Sequence, residues 1–270
     1  MPSDFLNTII EQKREDISRA SKGVSEAQLM EQARQRSDFR PFAHRLSRPG
    51  PGGANIIAEI KRASPSKGDI CPDLDAAPTA ARYEAGGAAA ISVLTDTTFF
   101  KGCLDDLTAS RAACGLPVLR KEFIISRYQV VEAAAAGADA ILLIARILTA
   151  DKLDQLYRLC RELGMDALVE IHTPADAEVV AGMDVRLVGI NNRNLSTFET
   201  DLAVAVELVA RLAPHQVPVA ASGIASAGDV RRNLSAGIFN FLVGESIVRA
   251  ADPAGFIRGL VNAGQAGDNP

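Results

Sequence analysis

Several polar residues close runs that are otherwise apolar. They are Glu59 and Lys61 in "NIIAEIK", Lys121 in "PVLRK", Glu170 in "DALVEIH", Asn191 in "RLVGIN" and Ser222 in "PVAAS". Side chains alternate faces along a strand. Ile56, Ala58 and Ile60 therefore share one face, and Glu59 and Lys61 share the other. By the same rule Leu119, Lys121 and Phe123 point together, as do Leu168 and Glu170. A lysine so placed can be a general acid, a Schiff-base nucleophile or an anion clamp. The plain alternative is a structural Glu–Lys ion pair. One isolated pair is readily explained that way. Four charged groups on three strands are not, because buried charge is expensive and apolar replacements are often as stable.

The elements that carry these residues follow a rhythm. Short β-rich runs ("NIIAEIK", "AAISVLT", "PVLRK", "DAILLIA", "DALVEIH", "RLVGIN", "PVAAS", "NFLVG") alternate with amphipathic segments. The latter fall at 74–84, 104–113, 127–136, 150–163, 174–180, 202–212, 227–235 and 253–261. Six of them end on a glycine ("AGGA", "CGLP", "AGAD", "LGMD", "AGMD", "AGIF"), which suits a left-handed helix C-terminus before the next strand. Eight strand-then-helix units imply a parallel sheet. An open doubly wound sheet and a closed (β/α)8 barrel both fit. The count of eight, without a glycine-rich dinucleotide loop after the first strand, favours the barrel. A barrel also brings the polar strand ends together over one mouth, where an open sheet would string them along an edge.

Ahead of the barrel, residues 4–36 read as two helices. Leu6, Ile9, Ile10 and Ile17 form a stripe at helical spacing, with the Lys13 stem available to fill the gap. Ser25 with Gln28 resembles a capping box. "RPGPGG" at 48–53 reads as a linker. The whole chain, 1–270, is expected to be a single barrel domain in which 1–50 is a helical extension.

The last two strand ends suggest a phosphate. "ASGIAS" and "VGESIV" place Gly223 and Gly244 where backbone N–H groups can approach an anion, and a short helix starting at Glu245 would aim its N-terminus there. Lys61 and Arg193 can add positive charge. Glycines that merely permit tight turns are the bland reading of each loop. Two such loops in the final positions, where barrels often bind phosphate, shift the balance. Phe100, Phe123, Leu142 and Leu195 lie at or beyond strand ends and can wall an apolar group. Taken singly, each is better read as core packing. His172 lies on the Glu170 face and reads as a solvated or hydrogen-bonded loop residue.

Composition removes other classes. The chain has 270 residues, 47% hydrophobic, with formal net charge -4, so no basic surface points to nucleic acid or an anionic membrane. No apolar run is long enough to span a bilayer. The charged stretch "MPSDFLNTIIEQKREDI" does not read as a signal peptide. Cys71, Cys103, Cys114 and Cys160 are scattered, which reads as reduced thiols in a cytoplasmic protein. Three histidines without a ligand-spaced pair give no reason to expect a metal.

"IIAEIKRASPSKG", "AAAISVLTDTTFF", "LRKEFIIS", "ALVEIH", "GINNRNL", "ASGI" and "VGES" together resemble indole-3-glycerol phosphate synthase, over most of residues 4–265. The resemblance implies a metal-independent, cofactor-free (β/α)8 enzyme of tryptophan biosynthesis. Its substrate would be the small phosphosugar 1-(2-carboxyphenylamino)-1-deoxyribulose 5-phosphate. The pyrrole ring closes with loss of carbon dioxide and water. It implies Lys121 as the acid that polarises the ketose carbonyl and Glu170 as the base of the dehydration. Glu59 and Lys61 would belong to the same network, with Lys61 also near the phosphate. Ser64, Asn191 and Ser222 would position the carboxylate and hydroxyls. Arg193, Gly223, Gly244 and the backbone N–H of Glu245 would hold the phosphate. Phe100, Phe123, Leu142 and Leu195 would enclose the anthranilate ring. A monomer is expected, with other tryptophan-pathway enzymes as its candidate partners. Two departures stand out. The family's usual "ESGI" is "ASGI" here, so Ala221 removes a carboxylate. No tryptophan is present, so any aromatic wall from the extension must be phenylalanine, such as Phe5. Two rivals remain open: a class I aldolase-type barrel with Lys121 as Schiff-base nucleophile, and a non-catalytic phosphosugar-binding module.

Overall fold

The computed structural model describes residues 4–194 and 197–265. Eight strands form a closed parallel barrel: β1 (Asn55–Ile60), β2 (Ala90–Leu94), β3 (Val118–Lys121), β4 (Ala140–Ile144), β5 (Asp166–Ile171), β6 (Leu187–Asn191), β7 (Val217–Ala221) and β8 (Asn240–Val243). β1 pairs with both β2 and β8, which closes the ring. Strand alternation divides the apolar residues between two cores. Ile56, Ala58, Ile60, Val169 and Ile171 face outward under the helices. Ile57, Leu119, Leu142, Leu168, Val219 and Leu242 fill the interior. Glu59 lies two residues from Ile57 and so points inward, above this packed layer. The open-sheet alternative is excluded.

The helices are α1 (Asp4–Gly23), α2 (Glu26–Gln35), α3 (Phe42–Leu46), α4 (Ala76–Ala85), α5 (Leu104–Ala113), α6 (Arg127–Ala135), α7 (Ala150–Glu162), α8 (Pro174–Ala181), α9 (Ala203–Leu208), α10 (Ala227–Leu234), α11 (Glu245–Val248) and α12 (Pro253–Val261), with one further helical turn at Thr97–Phe100. The Ser25–Gln28 capping box forms at the start of α2. Of the six glycines expected to be left-handed before a strand, those at 87, 137, 164 and 237 are so, whereas Gly182 (φ -80°) and Gly115 are not. Those two connections close without a positive φ. Among the described residues, no helix is long and apolar enough to cross a membrane.

Two features of the extension depart from the sequence reading. First, α3 is an unexpected third helix. It plugs the lower end of the barrel with Phe42 and Leu46, both fully buried. The Ala43 N–H donates to Asp166 Oδ2 at 2.8 Å and Asn240 Nδ2 donates to the Leu46 carbonyl at 3.1 Å. The Arg48–Gly53 segment beyond it is a tight turn, with the Gly53 N–H on the Gly50 carbonyl and Pro51 bound by Gln265.

Second, Lys13 is buried along its whole length. Its Nζ lies 2.6 Å from Asp96 Oδ2, 3.0 Å from Asp16 Oδ2 and 3.4 Å from Glu122 Oε1. Burial opposes the ammonium, but these carboxylates outweigh it and raise the lysine's pKa. The cluster ties α1 to the residues just beyond β2 and β3. Removing one partner from such a cluster strands charge in a dry site. Lys13→Met should therefore lower unfolding stability by about 3 kcal/mol in chemical denaturation. A loss below about 1 kcal/mol would show that α1 is held by its apolar stripe alone.

Candidate active site

The upper rim of the barrel opens into a cavity of about 530 Å³. Every candidate catalytic or substrate-binding residue lines it except Leu195, which lies outside the described residues. At its centre Glu59 accepts from two lysines. Lys61 Nζ lies 3.0 Å from Oε1, and Lys121 Nζ lies 3.1 Å from Oε2. Burial would raise the Glu59 pKa, yet Lys121 and Lys61 overcome this and hold it at about 2. Burial would likewise discharge Lys121, but Glu59 and Glu170 keep its pKa above the ordinary lysine value. Lys121 is thus an ammonium at neutral pH.

Glycine at 244 is a steric requirement of this arrangement. A Cβ there would come within 2.5 Å of Glu59 Oε1. Across the mouth, Asn191 Nδ2 donates to Glu170 Oε1 at 3.2 Å, while Asn191 Oδ1 accepts from the Arg193 N–H at 3.0 Å. The Arg193 guanidinium is steered by Thr200 Oγ1 at 3.2 Å and Ser66 Oγ at 3.2 Å. Register explains the convergence. Asn191 pairs with Ala221, Ile144 with Glu170 and Leu94 with Lys121, so all these strand ends reach one rim.

The loops after β7 and β8 meet through Ser246 Oγ, which donates to the Ile224 carbonyl at 2.8 Å. Ser222 has a left-handed backbone (φ 67°) and is followed by Gly223 (φ 81°). A serine in that region is held against its preference. Asn192 supplies the restraint, donating from Nδ2 to the Ser222 carbonyl at 3.0 Å. A Cβ on Gly223 would come within 2.6 Å of Thr200 Cγ2. The Glu245 carboxylate turns to Arg249 Nε at 3.1 Å, so the acid is neutralised beside these loops.

The apolar side of the cavity contains Phe100 and Phe123, with ring centroids 6.1 Å apart, and Leu142. Phe5 of α1 also lines it, packing edge-on against Phe99 (5.6 Å) and Phe198 (5.4 Å). Phe198, Leu6, Ile9, Ser66 and Lys67 line the cavity without having been anticipated. Lys67 and Ser66 sit in the quoted "SPSKG" run and could have been read from it. Phe198 carried no local signal. His172 departs from the solvated-loop reading, since its side chain is 3% exposed and buried against Glu170. Among the described residues, no group of three or more His, Cys, Asp or Glu side chains is placed to hold a metal ion.

The depressed Glu59 pKa has a consequence for stability. Its contribution is complete above the ordinary carboxylate value near 4.5 and is lost as pH falls toward about 2. Wild-type stability should therefore fall more steeply across that window than that of Glu59→Gln, compared by denaturant unfolding at each pH. Parallel profiles would contradict the Glu59–lysine coupling.

Known proteins resemble the chain along nearly its whole length. The family model "Indole-3-glycerol phosphate synthase" matches residues 6–260. An indole-3-glycerol phosphate synthase from Desulfosudis oleivorans is 57% identical over 96% of this chain and 99% of its own. One from Syntrophobacter fumaroxidans is 48% identical over 97% and 98%. Among solved structures, 3-hexulose-6-phosphate synthase from Salmonella typhimurium superposes with a TM-score of 0.61 at 16% identity, covering 78% of this chain and 98% of that one. Thiamine phosphate pyrophosphorylase from Pyrococcus furiosus gives 0.60 at 12%, covering 83% and 98%. Those two share the barrel alone. The full-length matches to the synthases show that the chain belongs to the indole-3-glycerol phosphate synthase family, carboxy-lyases of tryptophan biosynthesis.

Proposed function

We propose that the mouth cluster closes the indole ring of 1-(2-carboxyphenylamino)-1-deoxyribulose 5-phosphate with Lys121 as general acid. The observation that carries this is the Glu59 carboxylate shared by Lys61 and Lys121. It keeps Lys121 protonated, which suits proton donation and opposes Schiff-base formation, a step that needs the neutral amine. The aromatic carbon attacks the ketose carbonyl, and Lys121 gives its proton to the developing alkoxide. Carbon dioxide then leaves from the ring. Loss of the hydroxyl as water needs an acid beside the departing oxygen and a base for the proton released on rearomatisation. We assign Lys61 and Lys121 to the first task and Glu170 to the second.

In this reading Phe100, Phe123 and Leu142 enclose the anthranilate ring, with Phe5 closing it from the extension. Exclusion of water there favours decarboxylation. Ser64, Asn191 and Ser222 orient the carboxylate and ribulose hydroxyls. Arg193, with Gly223, Gly244 and the Glu245 N–H, takes the phosphate. Residues 1–270 act as one barrel domain with 1–50 as its extension. A monomer in the cytoplasm, needing no metal or cofactor, completes the proposal.

Turnover is read by indole absorbance and fluorescence with the carboxyphenylamino-deoxyribulose phosphate. Lys121→Ala should lower kcat by about 10²–10⁴-fold with substrate affinity nearly unchanged. A variant retaining more than about a tenth of kcat would remove Lys121 from the mechanism, because general acid catalysis is worth more than that. Arg193→Ala should raise KM with a smaller effect on kcat, because a phosphate clamp binds ground and transition states alike. Loss of kcat at constant KM would contradict the clamp.

A further inference from the structure

His172 is a buried group that the mechanism above does not use. Its side chain is 3% exposed, and neither ring nitrogen has a hydrogen-bond partner. Its Nε2 lies 3.5 Å from Glu170 Oε1. The residue is fixed from behind, where its backbone N–H donates to Asp176 Oδ2 at 2.8 Å in the first turn of α8. It does not line the cavity, so it stands behind the carboxylate rather than beside the substrate. A buried ring N–H without a partner is costly. Glu170 Oε1 is an acceptor a few tenths of an ångström beyond bonding distance.

We propose that His172 is a positioning residue for Glu170, a neutral imidazole whose Nε2–H donates to Oε1 and reserves Oε2 for the substrate proton. Asn191 Nδ2 already donates to the same Oε1 at 3.2 Å. With two donors on Oε1, the carboxylate cannot rotate to exchange its oxygens without breaking both. The proton abstracted from substrate then goes to Oε2. The surroundings suit a neutral ring. Burial depresses the His172 pKa most. Glu170 on β5 and Asp176 on α8 pull it up, while Arg146 after β4 and Lys121 on β3 push it down, and the net direction is downward. A neutral donor adds no competing acid to the mouth.

The proposal rests on the base role of Glu170, and the experiment separates the two. The chain has only three histidines, His44, His172 and His215, so ¹⁵N-labelled imidazole spectra of the wild type resolve them once each is replaced in turn. His172 should be neutral with the proton on Nε2 at pH 7. The Nδ1–H tautomer or an imidazolium would overturn the proposal. In kinetics, His172→Leu should lower kcat about tenfold, as expected for a lost hydrogen bond to a charged group. KM should stay within about twofold, because the contact acts on the base rather than on substrate binding. The acid limb of the kcat profile should move up by about one pH unit, since the carboxylate loses a donor. His172→Gln, which restores an N–H, should recover both. Unchanged kcat and acid limb in His172→Leu, or failure of Gln to rescue a folded protein, would overturn the proposal. Should His172→Leu not fold, the wild-type tautomer and the Gln variant still decide it. Glu170→Gln is measured alongside: an active variant would remove the base reading itself, whereas an inactive one with the wrong His172 tautomer would remove the His172 proposal alone.

Discussion

The structure depends on one carboxylate shared by two ammonium groups in a nearly dry site. Burial at the rim would discharge Lys121. Glu59 counters this at 3.1 Å and also pairs with Lys61 at 3.0 Å. Removing either lysine leaves Glu59 with one cation where it has two, and both hold its pKa down. The geometry around Glu59 follows from this. β1 delivers Glu59 and Lys61 on one face, β3 brings Lys121 alongside, and Gly244 withholds the Cβ that would strike the carboxylate. Glu170, on the far side of Lys121, adds the second negative charge that keeps that ammonium protonated.

A second buried network lies outside the barrel wall and serves the first. Lys13 joins Asp96 and Glu122, Thr95 Oγ1 donates to Glu122 Oε2 at 3.0 Å, and Arg120 bridges to Thr95 at 3.2 Å and Glu132 at 2.7 Å. Arg120 and Glu122 flank Lys121 in sequence; Arg120 does not line the cavity, whereas Glu122 reaches its edge. The residues on either side of the proposed acid are thus anchored by ion pairs. The same network docks α1, whose Phe5, Leu6 and Ile9 line the cavity. Apolar lining and charged centre are held together by a lysine that does not itself line the cavity.

The barrel was legible because its signals are local. Alternation in "NIIAEIK" separated Ile56, Ala58 and Ile60 from Glu59 and Lys61, and the cores divide along that line. The motifs at strand ends carried the site, because strand direction alone sends them to one rim. What remained hidden depends on contacts distant in sequence. The α3 plug is five residues whose burial makes sense only against Asp166 and Asn240, more than a hundred positions away. Lys13 read as a stem covering apolar surface, since nothing nearby announces Asp96 and Glu122. His172 read as a loop residue because its burial comes from neighbours folded over β5. Phe198 meets Phe5 across nearly the whole barrel sequence. Gly115 and Gly182 looked like left-handed closures, but glycine only permits that conformation.

The central claim is that the Glu59–Lys61 pair belongs to the chemistry and is not scaffold. Glu59→Gln with Lys61→Met removes both charges together, so no unpaired ion is left by that pair. The thermal midpoint and kcat/KM of the double variant, set against those of each single variant, test the claim directly. The account predicts a double variant that folds at least as well as the worse single variant and is nearly inactive on the carboxyphenylamino-deoxyribulose phosphate. A stable double variant with near-wild-type kcat/KM would contradict it and leave the chemistry to Lys121 and Glu170.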